Sequence, residues 1–300
     1  MNHQMNTLNA RGRRLLVALP TMFTSTGDLD LEATAAVGRL VAGSRADGAF
    51  VAGTTGEFPS LEPAERQAVF ELQRETLGTK RLIAHIGAGS TRQAIQLLEH
   101  AMAAGVTEFA SMTPYFLPSS PKSTLEHYQE ISKVADGQAR VYVYMFQART
   151  STIVTPAELA AIAELPGIIG TKISGFDLPT VMGYREATPA EFEVFTGNDA
   201  DFPNAETSGL DGVVSGVASC FPNTFDRMIE ALGSGDQAAI GAAHSEVLEV
   251  VSTIAGDIAR IKVALAAQGI GNPHCRMAIE GPDGKMAAAI QSAVRAYQGA

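Results

Sequence analysis

One primary amine stands near the end of a short apolar run: Lys172, in Gly167-Ile168-Ile169-Gly170-Thr171-Lys172-Ile173-Ser174. Burial penalises an ammonium and lowers its pKa, leaving a neutral nitrogen that can attack a ketone and form a Schiff base. The alternative is that Lys172 marks where a strand leaves the core and its ammonium reaches water. A second segment, Gly53-Thr54-Thr55-Gly56-Glu57, offers two hydroxyls and several backbone N–H groups in a glycine-permitted turn. That is a cradle for a carboxylate, or else an ordinary strand-end turn. A third, Tyr142-Val143-Tyr144-Met145-Phe146-Gln147-Ala148-Arg149-Thr150, puts Tyr142 and Tyr144 on one face of a strand. Tyr144 is nearer the C-terminal rim, where a phenol either shuttles a proton or packs in the core.

These groups need a scaffold, and the chain supplies a repeating one. Apolar runs predict strands at 14–22, 48–54, 81–87, 108–113, 139–146, 168–174, 192–197 and 212–218. Helical patterns between and after them fall at 31–44, 62–78, 91–104, 123–136, 155–165, 177–187, 202–208 and 222–233. Pro63 and Pro156 suit first helical turns, and Ser90 can cap a helix beginning at Thr91. Eight βα units with strands apolar almost throughout predict an α/β fold, a (β/α)8 TIM barrel over 13–235. Residues 236–300 read as a C-terminal helical extension, with helices near 236–255, 257–269 and 284–298, and residues 1–12 as a loose arm. In such a barrel the active groups come from the C-terminal ends of the strands, which is where Thr54, Tyr144 and Lys172 fall.

Composition narrows the partners. With 46% hydrophobic residues among 300 the chain can bury a large core, and its net charge of −10 argues against nucleic acid or an anionic membrane as partner. Two cysteines, Cys220 and Cys275, are too few for a disulfide framework, so a cytoplasmic location is expected. No segment approaches the length of a membrane span. The six histidines form no metal-binding spacing, although the strand at 81–87 could aim His85 into the barrel. Asn198-Asp199-Ala200-Asp201 reads as a helix cap, or as a Mg2+ site of a metal-dependent aldolase.

Taken in order and spacing, the Gly53–Glu57 turn, the Tyr144 to Arg149-Thr150 segment and Ile168–Lys172 resemble the dihydrodipicolinate synthase/N-acetylneuraminate lyase family of Schiff-base aldolases. The resemblance spans nearly the whole chain. It implies that Lys172 forms an imine with pyruvate or another 2-oxo acid, that Tyr144 relays the proton with Thr54 orienting it, and that Gly53, Thr54 and Thr55 hold the substrate carboxylate. It further implies Gly197 and the Val214 carbonyl on the far wall, Arg149 at the entrance, aldehyde second substrates, a homotetramer, and neither metal nor organic cofactor.

Three positions depart from the synthases. Phe116 stands where a tyrosine completes a proton relay across a dimer interface, Ile173 replaces an acidic residue, and Met145-Phe146-Gln147 replaces Asn-Val-Pro. Pro63, Arg66, Gly89 and Gln93 lack the pattern of the feedback lysine site. A 2-oxo-acid aldolase or dehydratase acting on a hydroxylated or sugar-derived acid is therefore expected ahead of dihydrodipicolinate synthase proper. A family member that binds 2-oxo acids without turnover is a further alternative.

Overall fold

The computed structural model describes residues 12–298, so most of the expected loose arm lies outside the described residues. Gly12, which is described, is buried and donates its N–H to the Asp211 carbonyl at 3.1 Å.

Eight parallel strands close on themselves in chain order: β1 (Arg14–Ala18), β2 (Gly48–Val51), β3 (Arg81–His85), β4 (Glu108–Met112), β5 (Arg140–Met145), β6 (Ile168–Ile173), β7 (Glu193–Thr196) and β8 (Gly212–Ser215). Strand alternation sorts their side chains into two cores. Val141, Val143 and Met145 point outward to the helices, whereas Tyr142 and Tyr144 point inward with Leu16, Phe50, Phe195 and Val214. The helices turn apolar faces to that outer surface and start on local signals. Ser90 accepts from Gln93 N, Thr155 and Glu158 form a capping box, and Ser120 caps a helix opened by Pro121.

Every strand ends one or more residues before its apolar run does, although several residues beyond still bond the neighbouring strand, as Leu19 N does to the Phe50 carbonyl and Thr113 N to the Tyr144 carbonyl. The helix expected at 202–208 is replaced by a 3-10 turn over Asp199–Asn204. Pro203, inside this segment, has no N–H to donate, and residues 205–209 continue as turns rather than as a helix. A one-turn helix not expected from the sequence, Gln147–Thr150, follows β5. After β8 come helices Pro222–Ser234, Gln237–Ile254, Ile258–Ala267 and Gly284–Tyr297.

Two features of the barrel interior position the site. At the N-terminal end an ionic plug closes the floor: Arg14 reaches Glu193 at 2.7 Å, Arg81 reaches Glu108 at 2.7 Å, and the Tyr142 hydroxyl sits between Arg81 and Glu193. Farther up, the β5–β6 register shifts: Val141 pairs with Ile168 but Tyr142 with Gly170, so β6 carries one extra residue. This bulge brings Tyr144 level with Lys172 on the inward face. Residue 170 has to be glycine, since a Cβ there would lie 2.6 Å from both the Tyr142 ring and the Glu193 carbonyl oxygen.

Candidate active site

At the C-terminal mouth of the barrel lies a cavity of about 650 Å³, within the size range of small-molecule sites. Lys172 enters it from β6. Its side chain is 7% exposed, and its Nζ stands 4.4 Å from the Tyr144 ring centre and 4.8 Å from that of Phe50. Among the described residues no carboxylate comes within 4.0 Å of this amine, so no permanent ion pair blocks a ligand. The Tyr144 hydroxyl is 3.0 Å from Thr54 Oγ1, which comes from the turn after β2. That distance suits a shared hydrogen bond in either direction.

Thr55, Arg149, Gly197 and Val214 also line this cavity. Arg149 is solvent-exposed on the one-turn helix after β5, its guanidinium 5.6 Å from the Phe146 ring centre. Gly197 abuts Ser174, whose Oγ would lie 2.4 Å from a Cβ at that position. Gly53, by contrast, is not a lining residue. Its missing Cβ faces the Phe50 ring at 3.0 Å and its carbonyl accepts from Phe58 N, so it shapes the turn that presents Thr54 and Thr55.

Asp199 belongs to the same cavity and was not singled out as a substrate group by its sequence context. Its side chain is 9% exposed, and Oδ1 is buried with no hydrogen-bond partner. Burial pushes its carboxyl up to about 6, against the pull of a Ser215 hydrogen bond and the charge of Lys172. Asn198, not either aspartate, caps the turn, accepting from Ala200 N at 3.3 Å. Asp201 instead accepts from Thr196 at 3.3 Å, and no cluster of three metal-ligating side chains occurs among the described residues. His85 does point into the barrel. Fully buried, it bonds the Ala52 carbonyl at 3.1 Å through Nδ1 and packs against Phe58 and Tyr144, and burial beside Arg66 holds it well below the usual imidazole range.

The outer wall comes from the C-terminal helical region. Residues 269–283 form an irregular strap that brings Met277, Ala278 and Ile279 to the cavity. A fully buried ion pair, Glu57 with Lys262, holds this strap: Glu57 also accepts from Met277 N at 2.7 Å, and Lys262 donates to the His274 carbonyl at 3.0 Å. Arg276 adds a bidentate contact to Glu65 at 2.6 and 2.8 Å. Opposite, at the tip of the loop after β4, Phe116 is 90% exposed and held at φ 76°, a left-handed conformation uncommon for a non-glycine residue.

The chain has relatives of known family. Residues 11–296 match the model of the dihydrodipicolinate synthetase family. A DapA-like lyase of Halobacterium salinarum is 32% identical over 275 residues, covering 91% of this chain and 90% of the relative. The 4-hydroxy-tetrahydrodipicolinate synthase of Moorella thermoacetica is 29% identical, with coverages of 87% and 89%. Among solved structures, YagE of E. coli K12, determined in complex with pyruvate, superposes with a TM-score of 0.84 at 24% identity over 94% of this chain and 98% of its own, a likeness of fold. By the extent of the family match, this chain belongs to the dihydrodipicolinate synthetase family.

Proposed function

We propose that this protein is a Schiff-base lyase that makes or breaks a bond next to the carbonyl of pyruvate or a related 2-oxo acid. The observation that carries this reading is the Lys172 amine, lodged in the cavity without a carboxylate partner and level with a tyrosine whose hydroxyl is 3.0 Å from Thr54. Lys172 Nζ adds to the keto carbon and water leaves, giving a protonated imine. That imine withdraws electrons, so the adjacent carbon either loses a proton or gives up its bond to the next carbon. Tyr144 carries the proton and Thr54 orients its hydroxyl. Thr55 and the turn shaped by Gly53 take the carboxylate, Gly197 and Val214 form the far wall, and Arg149 meets an acidic group at the mouth.

No metal or organic cofactor takes part in this scheme. A homotetramer in the cytoplasm, with the barrel at 13–235 and the helical appendix at 236–300 acting as one unit, belongs to the same reading. Phe116 and Leu117, 90% and 71% exposed, are side chains a neighbouring copy would cover. A non-catalytic 2-oxo-acid binder is favoured by one observation, the phenyl ring at 116, which has no hydroxyl to pass a proton.

Borohydride reduction in the presence of pyruvate, followed by peptide mass spectrometry, tests the reading. An adduct on Lys172 that is lost in Lys172→Ala supports it. Absence of any adduct in the wild-type chain removes it.

A further inference from the structure

We propose that the outer half of the cavity takes a flat apolar group, so that the second substrate is an aromatic aldehyde, or its aldol adduct, rather than a polyhydroxylated one. This rests on the Schiff-base reading and names its substrate class.

Two sets of residues around the cavity carry the argument. One is a run of touching rings. Tyr115 packs edge-on against Phe58 at 5.7 Å between centres, Phe58 against His85 at 4.6 Å, His85 against Tyr144 at 5.7 Å, and Tyr144 is 6.5 Å from Phe146. The rings therefore connect the proton-carrying tyrosine to Tyr115 and Phe146, which are half-buried; these three and Phe58 line the cavity, while His85, which links them, is fully buried. The other is aliphatic apart from Asp257, whose carboxylate caps its own helix by accepting from Arg260 N at 3.0 Å: Ile258 and Ile261 from that helix, and Met277 and Ile279 from the strap.

Other polar lining groups come from the strand-end turns. Ser174 and Asp199 stand on the β6–β7 side, where Asp199 feels the charge of Lys172, which suits the single oxygen of an aldol carbon. Arg149 is exposed at the mouth and lies near the Phe146 ring, so it can also stack on a planar guest. A chain of hydroxyls laid between the ring panel and the strap would lose water without gaining partners at successive carbons. A ring there meets edges and faces suited to ring contacts and the pliable thioether of Met277.

The chemistry balances without a further reagent. The imine of pyruvate on Lys172 loses a proton from its methyl carbon to give an enamine, and that carbon bonds to the aldehyde carbon. The aldehyde oxygen takes a proton. Water then hydrolyses the imine, releasing a 4-aryl-4-hydroxy-2-oxo acid and the free amine.

The test uses the full-length chain with pyruvate and either benzaldehyde or glyceraldehyde, scored by pyruvate consumed. Benzaldehyde should show at least a tenfold higher kcat/KM, and Met277→Asn and Ile279→Asn should each lower that ratio at least fivefold. The pyruvate adduct formed by each variant serves as the check that it folds. Glyceraldehyde as the better substrate, or a ratio indifferent to both variants, overturns the proposal while a Lys172 adduct keeps the Schiff-base reading intact. With no adduct in the wild-type chain, both fall. Should the adduct form but no aldehyde react, competition decides: 2-oxo-4-phenylbutanoate should suppress pyruvate trapping at a concentration at least tenfold below that of a 2-oxo-3-deoxy sugar acid, and the reverse order overturns the proposal.

Discussion

The Tyr144 ring does two things at once: its face meets Lys172 Nζ at 4.4 Å while its hydroxyl meets Thr54 Oγ1 at 3.0 Å. The two functions separate in one variant. Tyr144→Phe keeps the ring contacts with Phe50 and His85 but removes the proton carrier. Turnover should fall by roughly 10²-fold or more, while the pyruvate adduct and the thermal unfolding midpoint stay near wild type. Steady-state kinetics beside a melting curve checks this, and wild-type turnover would assign the proton to another group.

Asp199 predicts a pH dependence. Its folded carboxyl titrates near 6, above the ordinary 3.8, so between those values the folded state holds a proton that the unfolded state has released. Stability contributed by that protonated form is complete below pH 3.8 and is lost as pH rises through 6, to the extent of about 3 kcal/mol. Asp199→Asn should therefore be more stable than wild type at pH 8 and gain little at pH 4. In urea melts at the two pH values, an equal effect at both would contradict this origin.

The Glu57–Lys262 pair is buried on both sides, and burial holds the ammonium of Lys262 below its usual range against the pull of Glu57. Lys262→Met leaves a carboxylate stranded in the core and should destabilise the fold by roughly 3–5 kcal/mol. Glu57→Gln combined with Lys262→Met should recover part of that loss. A double variant as unstable as the sum of the singles would show that the two groups act independently.

Free lysine should not inhibit. Arg66 is 4% exposed, donating to the Gly87 carbonyl at 2.7 Å, and a guanidinium buried there opposes a second cation beside it. Activity in 10 mM-range lysine, about the millimolar scale, should match the control, and a saturable loss would place an effector site on this chain.

The parts of the site legible in the sequence are those at the C-terminal ends of strands, to which the family resemblance attached roles. Tyr144 and Lys172 stand near the ends of β5 and β6 and Thr54 in the turn after β2, and eight βα units dictate that these ends converge. Asp199 was harder to read, because Asn198-Asp199-Ala200-Asp201 has the composition of a helix cap and only the bend after β7 turns one carboxylate inward. The β6 bulge that levels Lys172 with Tyr144 leaves no compositional trace beyond Gly170. Met277 and Ile279 sit in a stretch with no strand or helix period, and Glu57 and Lys262 are 205 residues apart, so their pairing is a property of the closed fold. Gly53 reads as part of the carboxylate cradle because it adjoins Thr54; a Cβ at that position would lie 3.0 Å from the Phe50 ring, so its contribution is to the shape of the turn.

The strap has a consequence for how the protein comes into being. Its anchors join two residues from the first quarter of the chain, Glu57 and Glu65, to two from the last tenth, Met277 and Arg276. A ribosome that has released all eight strands has still not emitted the outer wall of the pocket. All the barrel strands are thus synthesised before Met277, Ala278 and Ile279, the lining that the strap contributes.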